Sequence, residues 1–152
     1  MYNFEIEMDK LKIAIINGPN LNLLGVRQPE VYGSQSFEKY YDYLIETFPD
    51  VDFGYFQSNV EGELIDYLQK IGFDEISIVF NAGGYTHSSV AIADAVAAIS
   101  APVIEVHISQ PTAREEQRHI SLLSKYAKGS ISGLGLYSYE AAINYLLNNL
   151  NS

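Results

Sequence analysis

An α/β fold with a parallel sheet is what the sequence predicts, and three observations predict it. Five short, mostly β-branched apolar runs recur along the 152 residues. The segments between them carry apolar residues at helical spacing. No internal repeat, low-complexity tract or linker interrupts the alternation. Strands alternating with single helices imply βαβ units, with helices covering both faces of one sheet. Five such units in this length fit a flavodoxin-like three-layer sandwich with a five-stranded parallel sheet of order 2-1-3-4-5.

The first strand is expected at 11–16, LKIAII, after a loosely ordered N-terminal extension, residues 1–10, in which Met8 is a candidate initiator. Residues 11–152 are read as one domain. From Asn17 to Gly33 the chain reads NGPNLNLLGVRQPEVYG, with neither a helical nor a strand period. Connections usually span about 4–6 residues. Leu21, Leu23, Leu24 and Val26 would be wasted on a loop that touches nothing. A lid with Gly25 and Gly33 as hinges accounts for the mixture; a plain turn-rich surface loop is the competing reading. A helix is expected from Phe37 to Phe48 and a second strand at 51–56. The segment 60–72, VEGELIDYLQKIG, opens acidic and closes with Lys70 and Gly72, as a helix does. The third strand is expected at 75–80. NAGGYTH then leads into an Ala-rich helix, SSVAIADAVAAIS, with Thr86 or Ser88 as its cap. The fourth strand is expected at 102–108. A helix over 112–129 follows, because Thr112 with Glu115 makes a capping box and Gly129 a stop signal. A fifth strand at 129–134 and a helix at 137–150 complete the chain.

Composition excludes several classes of function. The net charge is −10, which disfavours nucleic acid and anionic membranes as partners, since both are bound through basic surfaces. There is no Cys, which removes disulfides, thiol nucleophiles and thiolate zinc sites. No apolar run approaches the roughly 20 residues of a membrane span. The first ten residues lack the pattern of a signal peptide, so a cytoplasmic location is expected.

In open α/β sheets ligands bind at the carboxyl ends of the strands. Those ends carry NGPN, QSN, NAGGYTH and EVHISQ, each far more polar than the strand before it. The arginines, Arg27, Arg114 and Arg118, and the histidines, His87, His107 and His119, all lie in or beside such segments. The first segment offers Asn20, Arg27 and Tyr32. The third offers Asn81, then Gly83 and Gly84, where a backbone can approach a ligand closely, then His87. G-x-G-x-x-G and G-x-x-x-x-G-K are both absent, so a nucleotide phosphate is not expected. In the fourth segment alternation puts Glu105, His107 and Ser109 on one face and Ile104, Val106 and Ile108 on the other. A carboxylate inside a buried strand is costly unless paired. Beside an imidazole it can orient and balance a general acid or base. Arg114 and Arg118, four apart, share one face of the expected helix. They suit an anionic or polyhydroxylated ligand, or form a solvated face with Glu115 and Glu116. No ligand-spaced cluster is present, so neither a metal nor a cofactor is expected.

Taken together, NGPNLNLLGVRQPEVYG, QSNVEGELID, NAGGYTHSSVAIADA, EVHIS and AREEQRH resemble the type II 3-dehydroquinate dehydratases, small enzymes of the shikimate pathway. The resemblance runs from about Lys12 to the last helix. It implies a flavodoxin-like fold, no cofactor, a dodecamer built from trimers, and loss of water from 3-dehydroquinate to give 3-dehydroshikimate. It implies that Tyr32 is the base, Arg27 its activating partner on the lid and Asn20 the holder of a water on the enolate oxygen. His107 is then the acid, with Glu105 behind it. Asn81, His87, Arg118, Ile108 and Ser109 are implied as substrate contacts, and Arg114 as a supporting cation. Asp94 is implied to serve a neighbouring subunit's site. A helix carrying both His87 and Asp94 would hold them about 10 Å apart, too far to grip one small ring together. The match departs from the family pattern at Gln110, Pro111 and Thr112, at Gln117 and at Ala93. A free phenol titrates near pH 10 and is a poor base at neutrality, so cations beside the phenolate are required. A non-catalytic flavodoxin-like binding module would leave Arg27, Tyr32 and the Glu105–His107 pair without a purpose.

Overall fold

A strand covered on both faces is apolar along its buried length, and β1 (Leu11–Asn17) meets that demand from Ile13 to Ile16. Ile13 and Ile15 enter one core and Ala14 and Ile16 the other. The computed structural model describes residues 9–150. The expected N-terminal extension therefore falls almost wholly outside the described residues. Asp9 and Lys10 precede β1 as exposed chain.

The sheet adds β2 (Val51–Gln57), β3 (Ser77–Asn81), β4 (Val103–His107) and β5 (Gly129–Ser132). All pairings are parallel and the order is β2-β1-β3-β4-β5. This is the expected flavodoxin-like α/β sandwich. The helices are the single turn α1 (Pro29–Tyr32), α2 (Phe37–Thr47), α3 (Glu61–Ile71), α4 (Val90–Ala98) and α5 (Tyr137–Leu150). Phe37, Tyr40 and Leu44 of α2 and Tyr139, Ala142, Ile143 and Leu146 of α5 cover one face. Leu64 and Leu68 of α3 and Ile92, Ala93, Ala95 and Val96 of α4 cover the other. No helix among the described residues is long and apolar enough to cross a membrane.

Two expectations need correction. The cap of α4 is neither Thr86 nor Ser88: Ser89 Oγ accepts from Ile92 N at 2.9 Å. Gly83–His87 is a separate 3-10 turn, with Thr86 buried inside it. The helix expected over 112–129 does not form. Only two short 3-10 turns occur there, Pro111–Ala113 and Glu116–Arg118, and Thr112 caps nothing. The segment's polar groups are committed elsewhere. Leu122 N donates to Thr86 O at 2.9 Å and Lys128 N to Val103 O at 2.8 Å. The His119 ring bonds Arg114 O at 2.8 Å. These contacts lay the segment past the turn that follows β3 and back to the amino end of β4, and tertiary bonding overrides a moderate local propensity.

Candidate active site

The site begins where β1 and β3 end side by side, with Asn17 opposite Asn81. Gly18 N donates to Asn81 O at 2.7 Å. A Cβ on Gly18 would lie 2.5 Å from Ala82 O, so only glycine lets the chain cross there. The crossing is pinned from β2. Gln57 Nε2 donates to Gly18 O at 3.2 Å, and Asn59 Oδ1 accepts from Asn20 N at 2.9 Å. Asn20 is thereby held in the left-handed region at φ 69°.

Beyond Asn20 the long segment is not a featureless loop. A 3-10 turn (Leu21–Leu23) and α1 give it local structure. Leu21 and Leu24 reach down into the core, whereas Leu23 and Val26 stay exposed. Gly25 and Gly33 take φ of 90° and 83°. The segment carries Arg27 and Tyr32 over the strand ends. Arg114 Nη1 donates to Tyr32 Oη at 2.9 Å. Arg27 has no bond to that oxygen and faces the ring, its guanidinium carbon 5.1 Å from the centroid, while that of Arg114 lies 5.7 Å from it. The phenol thus has one cation bonded to its oxygen and a second over its π face.

At the end of β4, Glu105 is 1% exposed. Its Oε1 accepts from His107 Nε2 at 2.7 Å and from Ser121 Oγ at 2.6 Å, and its Oε2 accepts from Ser130 Oγ at 2.9 Å. Burial pushes this carboxyl up. The bonds from His107, Ser121 and Ser130 and the charge of His107 outweigh burial, so the carboxyl sits below the usual value. A carboxylate taking three donors is an acceptor only, so the His107 nitrogen facing it carries the proton. The His87 ring lies 6.2 Å from the His107 ring. His87 Nδ1 bonds Ile120 O at 2.8 Å, and since a carbonyl only accepts, Nδ1 carries a proton.

Asn20, Arg27, Tyr32, Asn81, His87, His107, Ile108, Ser109, Arg114 and Arg118 surround one cleft. Glu105 lies behind His107 rather than in the cleft wall. Arg114 and Arg118 do not share a helical face, because there is no helix. Arg114 turns to Tyr32, whereas Arg118 Nε pairs with the exposed Glu115 Oε2 at 2.8 Å. Asp94 is exposed on α4 and does not line the cleft. His87 and Asp94 also do not share a helix, since the chain breaks at Ser88 and Ser89 between the 3-10 turn and α4. Four residues that hold the site have no role in the sequence reading: Asn59, within QSN, and Ser121, Ser130 and Tyr139, which no motif marks. For Tyr139 one signal was present, a tyrosine on the apolar face of a helix, since a buried hydroxyl needs a partner. Among the described residues no group of three or more His, Asp or Glu side chains gathers as metal ligands.

This arrangement suits acid–base chemistry on a small polar molecule. A cation-bound phenol can take a proton, and a carboxylate-backed imidazole can give one.

Comparison with known proteins agrees on one family. The family model described as dehydroquinase class II matches residues 11–147. A 3-dehydroquinate dehydratase of Bacillus licheniformis is 48% identical over 141 residues, which cover 91% of this chain and 97% of that protein. That of Maricaulis maris is 48% identical over 142 residues, covering 92% and 97%. The crystal structure of a type II dehydroquinase from Butyrivibrio crossotus superposes with a TM-score of 0.88 at 42% identity, covering 92% of this chain and 99% of that one.

Proposed function

This chain belongs to the class II dehydroquinase family, and from that premise we propose how it acts as a 3-dehydroquinate dehydratase, a hydro-lyase. It removes water from 3-dehydroquinate to give 3-dehydroshikimate, the step this reaction occupies in the shikimate pathway. The observation that carries the reading is a guanidinium-bound phenol and a carboxylate-backed imidazole lining the same cleft.

Tyr32, as its phenolate, takes the proton beside the ketone and leaves an enolate. Arg114 and Arg27 stabilise the phenolate, the first through its oxygen and the second over its ring. Asn20 holds a water on the enolate oxygen. His107 protonates the departing hydroxyl, and Glu105 balances the positive charge of the ring while it carries two protons. One C–H and one C–O bond break, a double bond conjugated with the ketone forms, and water leaves. Asn81, His87, Arg118 and the backbone of Ile108 and Ser109 hold the ring and its carboxylate. Arg118 leaves Glu115 to do so at little cost, because exposed ion pairs are weak. The lid closes over this set and strengthens each charge interaction by excluding water.

On this reading Asp94 completes the site of a neighbouring subunit within a dodecamer built from trimers. The outward side of α4 supports a covered surface. Val90, Ala91, Asp94, Ala97 and Ala98 are exposed together, so one carboxylate sits in an otherwise apolar strip.

The test is incubation of the purified protein with 3-dehydroquinate. Growth of the ultraviolet absorbance of a conjugated enone is the expected result, and its absence at high enzyme concentration would overturn the reading.

A further inference from the structure

Tyr139 lies on α5, wholly buried, in the same core as Leu21 and Leu24 of the long segment. Its ring is wedged against Phe37, 5.1 Å between centroids, and Tyr40, 6.1 Å. That packing fixes where its hydroxyl sits. Asn81 Nδ2 donates to Tyr139 Oη at 2.9 Å, and Tyr139 O–H donates to Asn17 Oδ1 at 2.8 Å. On the other side, Gly83 N donates to Asn81 Oδ1 at 3.1 Å.

We propose that Tyr139 is a positioning residue of this site: its hydroxyl, bridging Asn17 and Asn81, fixes which end of the Asn81 amide meets each part of the substrate. The proposal deepens the reading of Asn81 as a substrate contact and rests on it. A backbone N–H can only donate, so Gly83 demands the oxygen of the amide. Tyr139 spends its own proton on Asn17, so toward Asn81 it can only accept, and it demands the nitrogen. The two demands agree and exclude the flipped amide, which would set donor against donor at Gly83. An asparagine side chain has two N–H donors and two acceptor lone pairs. After these bonds one donor and one acceptor remain, in fixed directions, for a ligand in the cleft that Asn81 lines. Without the hydroxyl, the amide keeps only the Gly83 bond and can swing about it.

The test compares wild type with Tyr139→Phe, which keeps the ring packing and deletes the bridge, well below the melting temperature of both. KM for 3-dehydroquinate is expected to rise about three- to tenfold, the size of one neutral hydrogen bond, with kcat held within about twofold. In protein labelled with 15N-asparagine, the Asn81 side-chain amide protons should exchange with solvent faster in the variant. The double variant Asn81→Ala/Tyr139→Phe should be no worse than Asn81→Ala, because Tyr139 acts through Asn81. A merely structural role would lower the melting temperature and leave KM unchanged. Wild-type KM with unchanged Asn81 exchange overturns the proposal, and so do losses that multiply in the double variant. Asn17→Ala removes the other end of the bridge and serves if the Phe variant does not fold. It should raise KM in the same way, and wild-type KM there also overturns the proposal. If wild type does not convert 3-dehydroquinate, the assigned reaction fails instead, and the exchange measurement still decides whether Tyr139 holds Asn81.

Discussion

Tyr32 gathers two of the three arginines of the chain, and they contact it differently. A charge-assisted hydrogen bond contributes about 1.5–3 kcal/mol, and a cation over an aromatic face about 0.5–2 kcal/mol. On the proposed reading both favour the form of Tyr32 that takes the proton, so they serve turnover more than substrate binding. Tyr32→Phe should nearly abolish turnover while the fold persists. Arg27→Ala and Arg114→Ala should each lower kcat more than they raise KM. Placed in the Tyr32→Phe background, either change should cost little more, because the phenolate they serve is gone. Steady-state kinetics on the single and double variants check this. Glu105 gives a second prediction. Its carboxyl lies below the ordinary value of 4.5 in the folded chain, so the unfolded chain binds the proton first as pH falls. The stability it contributes is fully present above about pH 4.5 and is lost as pH drops through the lower, folded value. Glu105→Gln should therefore be less stable than wild type at neutral pH, with the gap closing below about pH 4.5. Urea unfolding at a series of pH values reads that gap. The Glu105–His107 pairing was legible in the sequence because strand alternation puts i and i+2 on one face. The hydroxyls of Ser121 and Ser130 that complete it were not, since serines in a polar stretch carry no spacing signal.

At the scale of elements, the three inner strands were legible because burial on both faces leaves β1, β3 and β4 few polar choices before their carboxyl ends. The segment over 112–129 departs from the expected helix for the opposite reason. It has helix formers and a capping box, yet its side chains and amides bond to Tyr32, Glu105, Thr86 and Val103, all distant in sequence. Local pattern cannot register partners that the fold brings in. Asn17–Gly33 was legible as something more than a loop from its length and its leucines, and two of those leucines do anchor it. Its hinges are testable. Gly33 sits at φ 83° and ψ 171°, a conformation open essentially to glycine alone, yet a Cβ there would meet nothing within 4 Å. Gly33→Ala therefore changes backbone strain without adding a clash, at about 1–3 kcal/mol. The strain is relieved by moving α1, so kcat/KM should fall and proteolytic cleavage between Gly25 and Gly33 should speed up. The urea midpoint should shift little, because the main cores lie beneath helices that Gly33 does not touch. A large drop in the midpoint with normal turnover would mean the segment is a structural strap rather than a lid.

The whole molecule poses the question of whether one chain makes a complete site. Asp94 is exposed on α4 and stands apart from the cleft of its own chain, and the break at Ser88 and Ser89 removes any rigid helical link between it and His87. If Asp94 has a part in the reaction, it therefore reaches a site on another copy. The exposed Val90 beside it, and Ile120 on the segment that His87 bonds, would then be covered in the same contact. Complementation decides the matter. Asp94→Ala chains keep Tyr32, and Tyr32→Phe chains keep Asp94. In a mixed oligomer of the proposed kind some sites would combine Tyr32 from one chain with Asp94 from the next and be wild type in composition. The two variants, unfolded and refolded together, should then be more active than the average of the two refolded apart. If Asp94 acted within its own chain, no mixture could restore a site, because every chain with Tyr32 would lack Asp94. Activity equal to the average, in samples shown to contain mixed oligomers, would leave Asp94 an exposed helix carboxylate and make each chain's cleft self-sufficient.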